Sequence, residues 1–290
     1  MLYKIFNDKL TVEISSLGAE LQSIKYQGVE YLWQGNPEFW KGRAYNLFPI
    51  CGRLTEGKYT YNGKEYEMNL HGFLRKHETL ATVLADDSID FKLVPDDEVK
   101  EMYPFNFEYH ITYKLVDTKV QMNISVKNLD RKEMYFALGG HPGFNVPLEK
   151  GTFADYYIEY DKSSNPYGLY KSDTCYTTND IYQIDNIKEN TIPLAHNMFD
   201  RDAMFIAGLK GPIKLKNNLD SREVIVDIPK EMQYVGLWHA PKTEAPYVCI
   251  EPWTSVPAYD EVVDDLETKR DMFSIQPEET YNLEWSITVK

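Results

Sequence analysis

Cysteine is scarce in this 290-residue chain: Cys51, Cys175 and Cys249 are odd in number and widely spaced. That spacing argues against a disulfide framework or a zinc knuckle and leaves reduced thiols that pack. Positive charge is short as well, with 31 Lys and Arg against 45 Asp and Glu, a formal net charge of −14. A chain so acidic is repelled by phosphate backbones and anionic lipid, so neither nucleic acid nor a membrane is expected as a partner. No apolar stretch near Met1 is long enough for a signal peptide, and no later one approaches a membrane span. The expectation is a soluble, cytoplasmic protein.

Familiar catalytic signatures are missing too. The chain has no His-Glu-x-x-His, Cys-x-x-Cys or Gly-x-Ser-x-Gly, no glycine-rich phosphate loop and no dinucleotide fingerprint. Metal-dependent and serine hydrolysis therefore lack support, and no metal site is nominated. His77, His110, His196 and His239 stand in no ligand spacing, and His110 falls on the polar face of its segment. Also absent are Gly/Ser linkers, low-complexity tracts and repeats of fixed period, which favours one domain over residues 1–290.

What the chain does have is alternation. Phe107, Tyr109, Ile111, Tyr113 and Leu115 share one face of an extended run. After a short polar turn, Val120, Met122, Ile124 and Val126 share another, so the two runs read as a hairpin. Period two recurs in 11–14, 89–93, 224–228 and 281–289, with Tyr, Phe, Val and Thr plentiful and prolines mostly between the runs. The predicted fold is all-β, a large antiparallel sandwich with loops gathered at the sheet ends and few short helices. The helix candidates are Asp96 to Met102 and Tyr259 to Asp264.

Five stretches carry polar residues beside constrained or aromatic neighbours. In 139–147, Gly-Gly-His-Pro-Gly-Phe-Asn-Val-Pro, a histidine sits among turn formers after the apolar run 135–138, as if mounted at a rim. The alternative is an ordinary loop. The other four are read as non-strand. Arg53 follows Gly52, where its planar fork suits two hydroxyls, although a lone arginine is more often a surface ion-pair partner. His71 precedes Gly72, and by itself reads as a structural histidine. Asp200 and Asp202 could accept hydroxyl hydrogen bonds or simply mark a charged turn. Glu251 follows an apolar run and precedes Pro252-Trp253; carboxylates are seldom buried unless paired or functional. Trp238 and Trp253 are either stacking platforms for a sugar ring or simple core.

Taken in order, Gly52-Arg53-Leu54, His71-Gly72-Phe73, 141–145, 202–205 and 249–253 resemble the aldose 1-epimerase (galactose mutarotase-like) family, most closely its LacX-like branch. The likeness spans nearly the whole chain and rests on the ordered set. It implies a mutarotase-type β-sandwich with His141 as general acid and Glu251 as general base. His71 would orient the sugar, and Arg53 and Asp202 would hold its hydroxyls, with Asp200 as the alternative to Asp202. Better-known members have His-Gly-Gly at 71–73, His-Pro-Tyr-Phe-Asn-Leu at 141–146 and a different pair after the base, which bears on galactose preference more than on mutarotation.

The implied reaction interconverts α and β anomers of a free aldohexose by ring opening and closure. It calls for no cofactor or metal. With reference values of about 4.3 for Glu and 6.5 for His, Glu251 starts ionised and His141 needs a nearby negative charge to remain imidazolium. Two other readings stand: a non-catalytic carbohydrate binder, and an epimerase of a hexose 6-phosphate served by some of Arg43, Arg53, Arg75, Lys41 and Lys76. A glycosidase lacks a second carboxylate. The expected partner is a small-molecule sugar. A homodimer is left open, since no residue pattern selects a contact.

Overall fold

The two alternating runs pair as expected. In a computed structural model that describes residues 1–290, Phe107–Val116 lies antiparallel to Lys119–Asn128, in register from Phe107 opposite Asn128 to Val116 opposite Lys119. Alternation sends the nine apolar side chains named above to one face, each no more than 3% exposed. Each such burial is worth about 1.5–3 kcal/mol before chain entropy is subtracted.

This hairpin is the middle of a nine-stranded antiparallel sheet. Its order is Thr191–Pro193, Tyr157–Glu159, Ile213–Lys216, Val224–Asp227, Thr280–Val289, Lys119–Asn128, Phe107–Val116, Ser88–Leu93 and Leu80–Ala85. A second sheet has seven strands in the order Thr177–Tyr182, Tyr167–Lys171, Met204–Ala207, Tyr234–Trp238, Tyr247–Trp253, Gly139–Asn145 and Ala44–Leu47. A four-stranded sheet at the N-terminus and two hairpin-sized pairs complete the strands. One apolar cluster of 65 buried residues joins side chains of both large sheets. Ala44, Phe144, Ile206, Val235, Leu237, Val248 and Ile250 are the seven-stranded sheet's share of it. Because side chains alternate, the residues between them point to the sheet's other face.

Helix is sparse. The candidate at Asp96 forms Asp97–Met102, capped by Asp96 Oδ1, which accepts from the Val99 N–H at 2.9 Å. The candidate at Tyr259 to Asp264 does not form. Tyr259 bridges to Thr177, its carbonyl accepts from Thr55 Oγ1 at 2.9 Å, Glu261 has φ of 61°, and Asp264 makes a buried ion pair with Lys269 at 3.2 Å. Tertiary partners have taken the groups a helix would need. No helix is long and apolar enough to cross a membrane.

Two stretches read as non-strand are central strands. The Gly139–Asn145 and Tyr247–Trp253 segments lie side by side within the seven-stranded sheet. Gly139, Gly140 and Gly143 have no positive φ, so they are not turn glycines. They make space instead: a Cβ on Gly139 would stand 2.9 Å from the Trp253 ring, and one on Gly140 2.5 Å from Trp285.

Candidate active site

Register builds the centre of the site. Gly139 lies opposite Trp253 and Gly143 opposite Cys249, which sets His141 against Glu251 on the face turned away from the core. His141 is also paired with Tyr45 on its other side. Beyond Glu251 comes Gly236, where a Cβ would stand 3.4 Å from Glu251 Oε2; the missing side chain leaves the carboxyl its room. His141 Nε2 is 3.3 Å from Glu251 Oε2. Both residues are buried, and Glu251 Oε1 has no hydrogen-bond partner in the protein.

Burial sets the charge of this pair. It pushes His141 down to about 3 and Glu251 well above the usual carboxyl range, with the Asp202 charge adding to the latter. Burial therefore reverses the expectation of a resident imidazolium. The two groups hold one proton between them, and low polarity favours neutral imidazole beside carboxylic acid over an ion pair.

His71 is fixed by a reciprocal contact with Gly52. Its N–H donates to the Gly52 carbonyl at 2.7 Å, and the Gly52 N–H donates to His71 Nδ1 at 3.0 Å. A ring nitrogen that accepts carries no proton, which places the proton on Nε2. Burial, with His141 and two arginines nearby, keeps the ring neutral by holding it well below the usual histidine range. The backbone makes the tight turn His71-Gly72 with φ of 62° and 75°.

Arg53 and Asp202 meet across the cleft, Nη2 to Oδ2 at 3.4 Å, and Arg53 Nη1 also donates to the Thr174 carbonyl at 3.2 Å. Asp200 lines the same cleft without reaching Arg53, so Asp202 holds the arginine. Trp238 stands edge-on to His141 with ring centres 5.6 Å apart, and Trp253 lies 5.5 Å from His71 as a buried floor. The cleft encloses about 690 Å³, and all seven residues nominated from sequence line it. The remaining four histidines are used elsewhere: His196 and His239 bond to each other at 3.0 Å, His110 to Asp90 at 2.8 Å, and His77 Nδ1 to the Phe73 carbonyl at 2.9 Å.

Trp40 and Tyr45 went unnoticed in the sequence. Trp40 stacks on the His141 ring at 4.8 Å, and Tyr45 is its cross-strand neighbour at 6.1 Å. Trp40 carried a weak signal, a large aromatic followed closely by Gly42. Nothing in Tyr45's own surroundings distinguished it. Of the five scattered cations, only Arg53 and Arg75 reach the cleft, joined by Arg201 and Lys242. Arg43 is committed to the Gln22 carbonyl at 2.6 Å and to Gln34 Oε1 at 3.0 Å. His141, Cys249 and Glu251 offer nitrogen, sulfur and oxygen atoms within 4.8 Å of one another. Burial pushes the Cys249 thiol well above its usual value, so it packs as a neutral thiol in a cluster with Trp33 and Tyr247.

The sandwich with its cleft on the outer face of one sheet is a galactose mutarotase-like fold. The chain belongs to the aldose 1-epimerase family, whose model matches residues 1–288. Protein LacX, plasmid, of Lactococcus lactis subsp. lactis is 30% identical over 301 residues, covering 100% of this chain and 99% of that one. A galactose mutarotase related enzyme from Lactobacillus acidophilus superposes with a TM-score of 0.92 at 34% identity, over 100% of this chain and 97% of that one. A galactose mutarotase-like protein from Lactobacillus casei gives 0.94 at 26% identity over the whole of both chains.

Proposed function

We propose that the protein is an aldose 1-epimerase that opens and recloses the ring of an aldohexose, with Glu251 as base and His141 as acid. The observation that carries this is the buried His141–Glu251 pair on the cleft floor, one carboxyl oxygen of which has no partner in the protein. Pure binding needs neither an acid nor a base.

The proton bookkeeping closes within the pair. A sugar hydroxyl hydrogen-bonded to the carboxyl favours its ionised form, so the shared proton passes to His141 across a single contact. Glu251 then takes the proton of the C1 hydroxyl while His141 gives one to the ring oxygen, and the C1–O5 bond breaks to leave the open aldehyde. The pair is now imidazole beside carboxylic acid, the form that burial favours. After rotation about C1–C2 the same transfers run backwards onto the other face of the carbonyl. No proton need come from solvent. His71 Nε2–H, Arg53 and Asp202 hold hydroxyls, and Trp238 and Trp253 bound the ring.

Anomer exchange measured by NMR on glucose and galactose tests the reading. Exchange faster than in buffer supports it; exchange unchanged for every aldohexose, with sugar resonances broadened by binding, makes the protein a carbohydrate binder.

A shared proton in a buried pair also predicts the pH profile. Between about pH 3 and 8 the rate should show no step at the ordinary histidine value; it should fall in acid as pH approaches the lowered histidine value of about 3, where a second proton removes the base, and in alkali wherever the pair gives up its one proton. Rates across that range, with circular dichroism to confirm folding, check this. A rise and fall centred near the ordinary histidine value of about 6.5 would contradict it.

A further inference from the structure

We propose that His141, Cys249 and Glu251 form a site for a borderline-soft divalent cation of the zinc class, and that the bound cation reversibly blocks proton transfer in the cleft. The blocking rests on the epimerase reading; the binding does not. Strand alternation puts Cys249 on the same face as Glu251, opposite Gly143 on the strand that carries His141. A His141 nitrogen, the Cys249 sulfur and a Glu251 oxygen lie within 4.8 Å of one another, and all three residues are buried. Glu251 is 1% exposed, and its Oε1 has no hydrogen-bond partner in the protein. A ligand that accepts electron pairs would use that oxygen as well as a sugar hydroxyl would.

The spacing suits coordination. Tetrahedral zinc with metal–nitrogen and metal–oxygen bonds of about 2.0–2.2 Å holds those two ligand atoms roughly 3.3–3.5 Å apart. His141 Nε2 and Glu251 Oε2 already stand at 3.3 Å. With a metal–sulfur bond of about 2.3 Å the sulfur belongs roughly 3.6 Å from each, so Cys249 must approach by no more than about 1.2 Å. Gly143 leaves it room, since a Cβ there would stand 3.3 Å from the sulfur. Nitrogen, sulfur and oxygen donors together select a zinc-class ion, whereas magnesium and calcium take oxygen alone. Thiolate and carboxylate cancel the ion's two charges, and two protons leave for solvent, the thiol's and the one held between His141 and Glu251. His141 and Glu251 line the cleft and give the ion its entry path. His141 Nδ1 has no acceptor in the protein. Resident metal sites orient their histidines with such a partner, worth about 10–100-fold in affinity. Its lack here fits a reversible inhibitor that occupies the proton-transferring atoms, not a permanent cofactor.

The test titrates untagged protein with cobalt(II), zinc and magnesium chlorides, following binding by absorption and calorimetry and anomer exchange of glucose and galactose by NMR. Expected are one equivalent of zinc bound, magnesium ignored, and a thiolate-to-cobalt charge-transfer band in the near ultraviolet. Zinc should abolish exchange and a chelator restore it. Cys249→Ala, shown folded by circular dichroism, should lose the band and weaken zinc by at least about 10–100-fold while keeping its exchange rate. Cys175→Ser, which removes the thiol that lines the cleft, should keep both the band and the zinc affinity. The proposal is overturned by a parent protein without the band, by zinc binding that survives Cys249→Ala or is lost with Cys175→Ser, or by magnesium bound as tightly as zinc. Zinc bound at Cys249 with exchange unaffected overturns the blocking. If no sugar shows accelerated exchange even without metal, the epimerase reading falls, and the cobalt spectrum still decides the site.

Discussion

Replacing Glu251 with glutamine should slow anomer exchange by on the order of 100- to 10,000-fold while leaving the fold and most of the sugar affinity in place. The size follows from the chemistry: an amide cannot take the C1 hydroxyl proton, and the pair loses its one mobile proton. Stability should hold because burial already keeps Glu251 as the uncharged acid. Glutamine matches that acid in shape, and its NH₂ can donate to His141 Nε2 across the same 3.3 Å gap. No buried charge is stranded, so the usual penalty for breaking a buried pair does not arise. Exchange rates and calorimetric affinities measured together separate the two effects. A variant that exchanges anomers as fast as the parent would remove Glu251 from the role of base, and one that loses rate and affinity equally would point to ligand positioning instead.

The fold was legible because period two survives at the level of single residues. Each strand of the central hairpin buries one face, and its alternation is visible without knowing its partner. The site was legible as residue types but not as geometry. His141 and Glu251 meet only through the register of two strands more than a hundred residues apart in the chain, and register is a property of the pairing. Glycines and a proline around His141 imitate a turn, yet here the glycines accommodate aromatic rings packed against the sheet. Tyr45 joins the site by the same long-range pairing, which explains why its neighbours in sequence gave no warning. The protonation state was misjudged for a related reason. Reference values describe groups in water, and only burial, unknown from sequence, reverses the order of imidazole and carboxyl.

His71 depends on the turn that carries it, and substituting Gly72 should therefore damage both stability and the site. Gly72 has φ of 75°, and a Cβ there would stand 2.0 Å from the Phe48 carbonyl oxygen. Left-handed backbone alone costs a non-glycine residue about 1–2 kcal/mol. The clash adds to this, because the obstructing atom is backbone and cannot rotate away. Phe48 is itself buried among Phe73, Tyr103, Phe107, Tyr109 and Phe136, so it has little freedom to retreat. Gly63 provides the control: its φ is 72°, with nothing within 4 Å of an added Cβ. Gly63→Ala should show the dihedral cost alone, and Gly72→Ala at least about 3 kcal/mol in total, or roughly 6–12 °C in Tm for a chain of this size. Exchange activity should fall in Gly72→Ala alone, since moving Gly72 shifts His71 away from the Gly52 amide that fixes its tautomer. Equal losses of Tm in the two variants would mean that the Phe48 carbonyl can give way, and that the geometry of His71 owes less to this close contact than the distance implies.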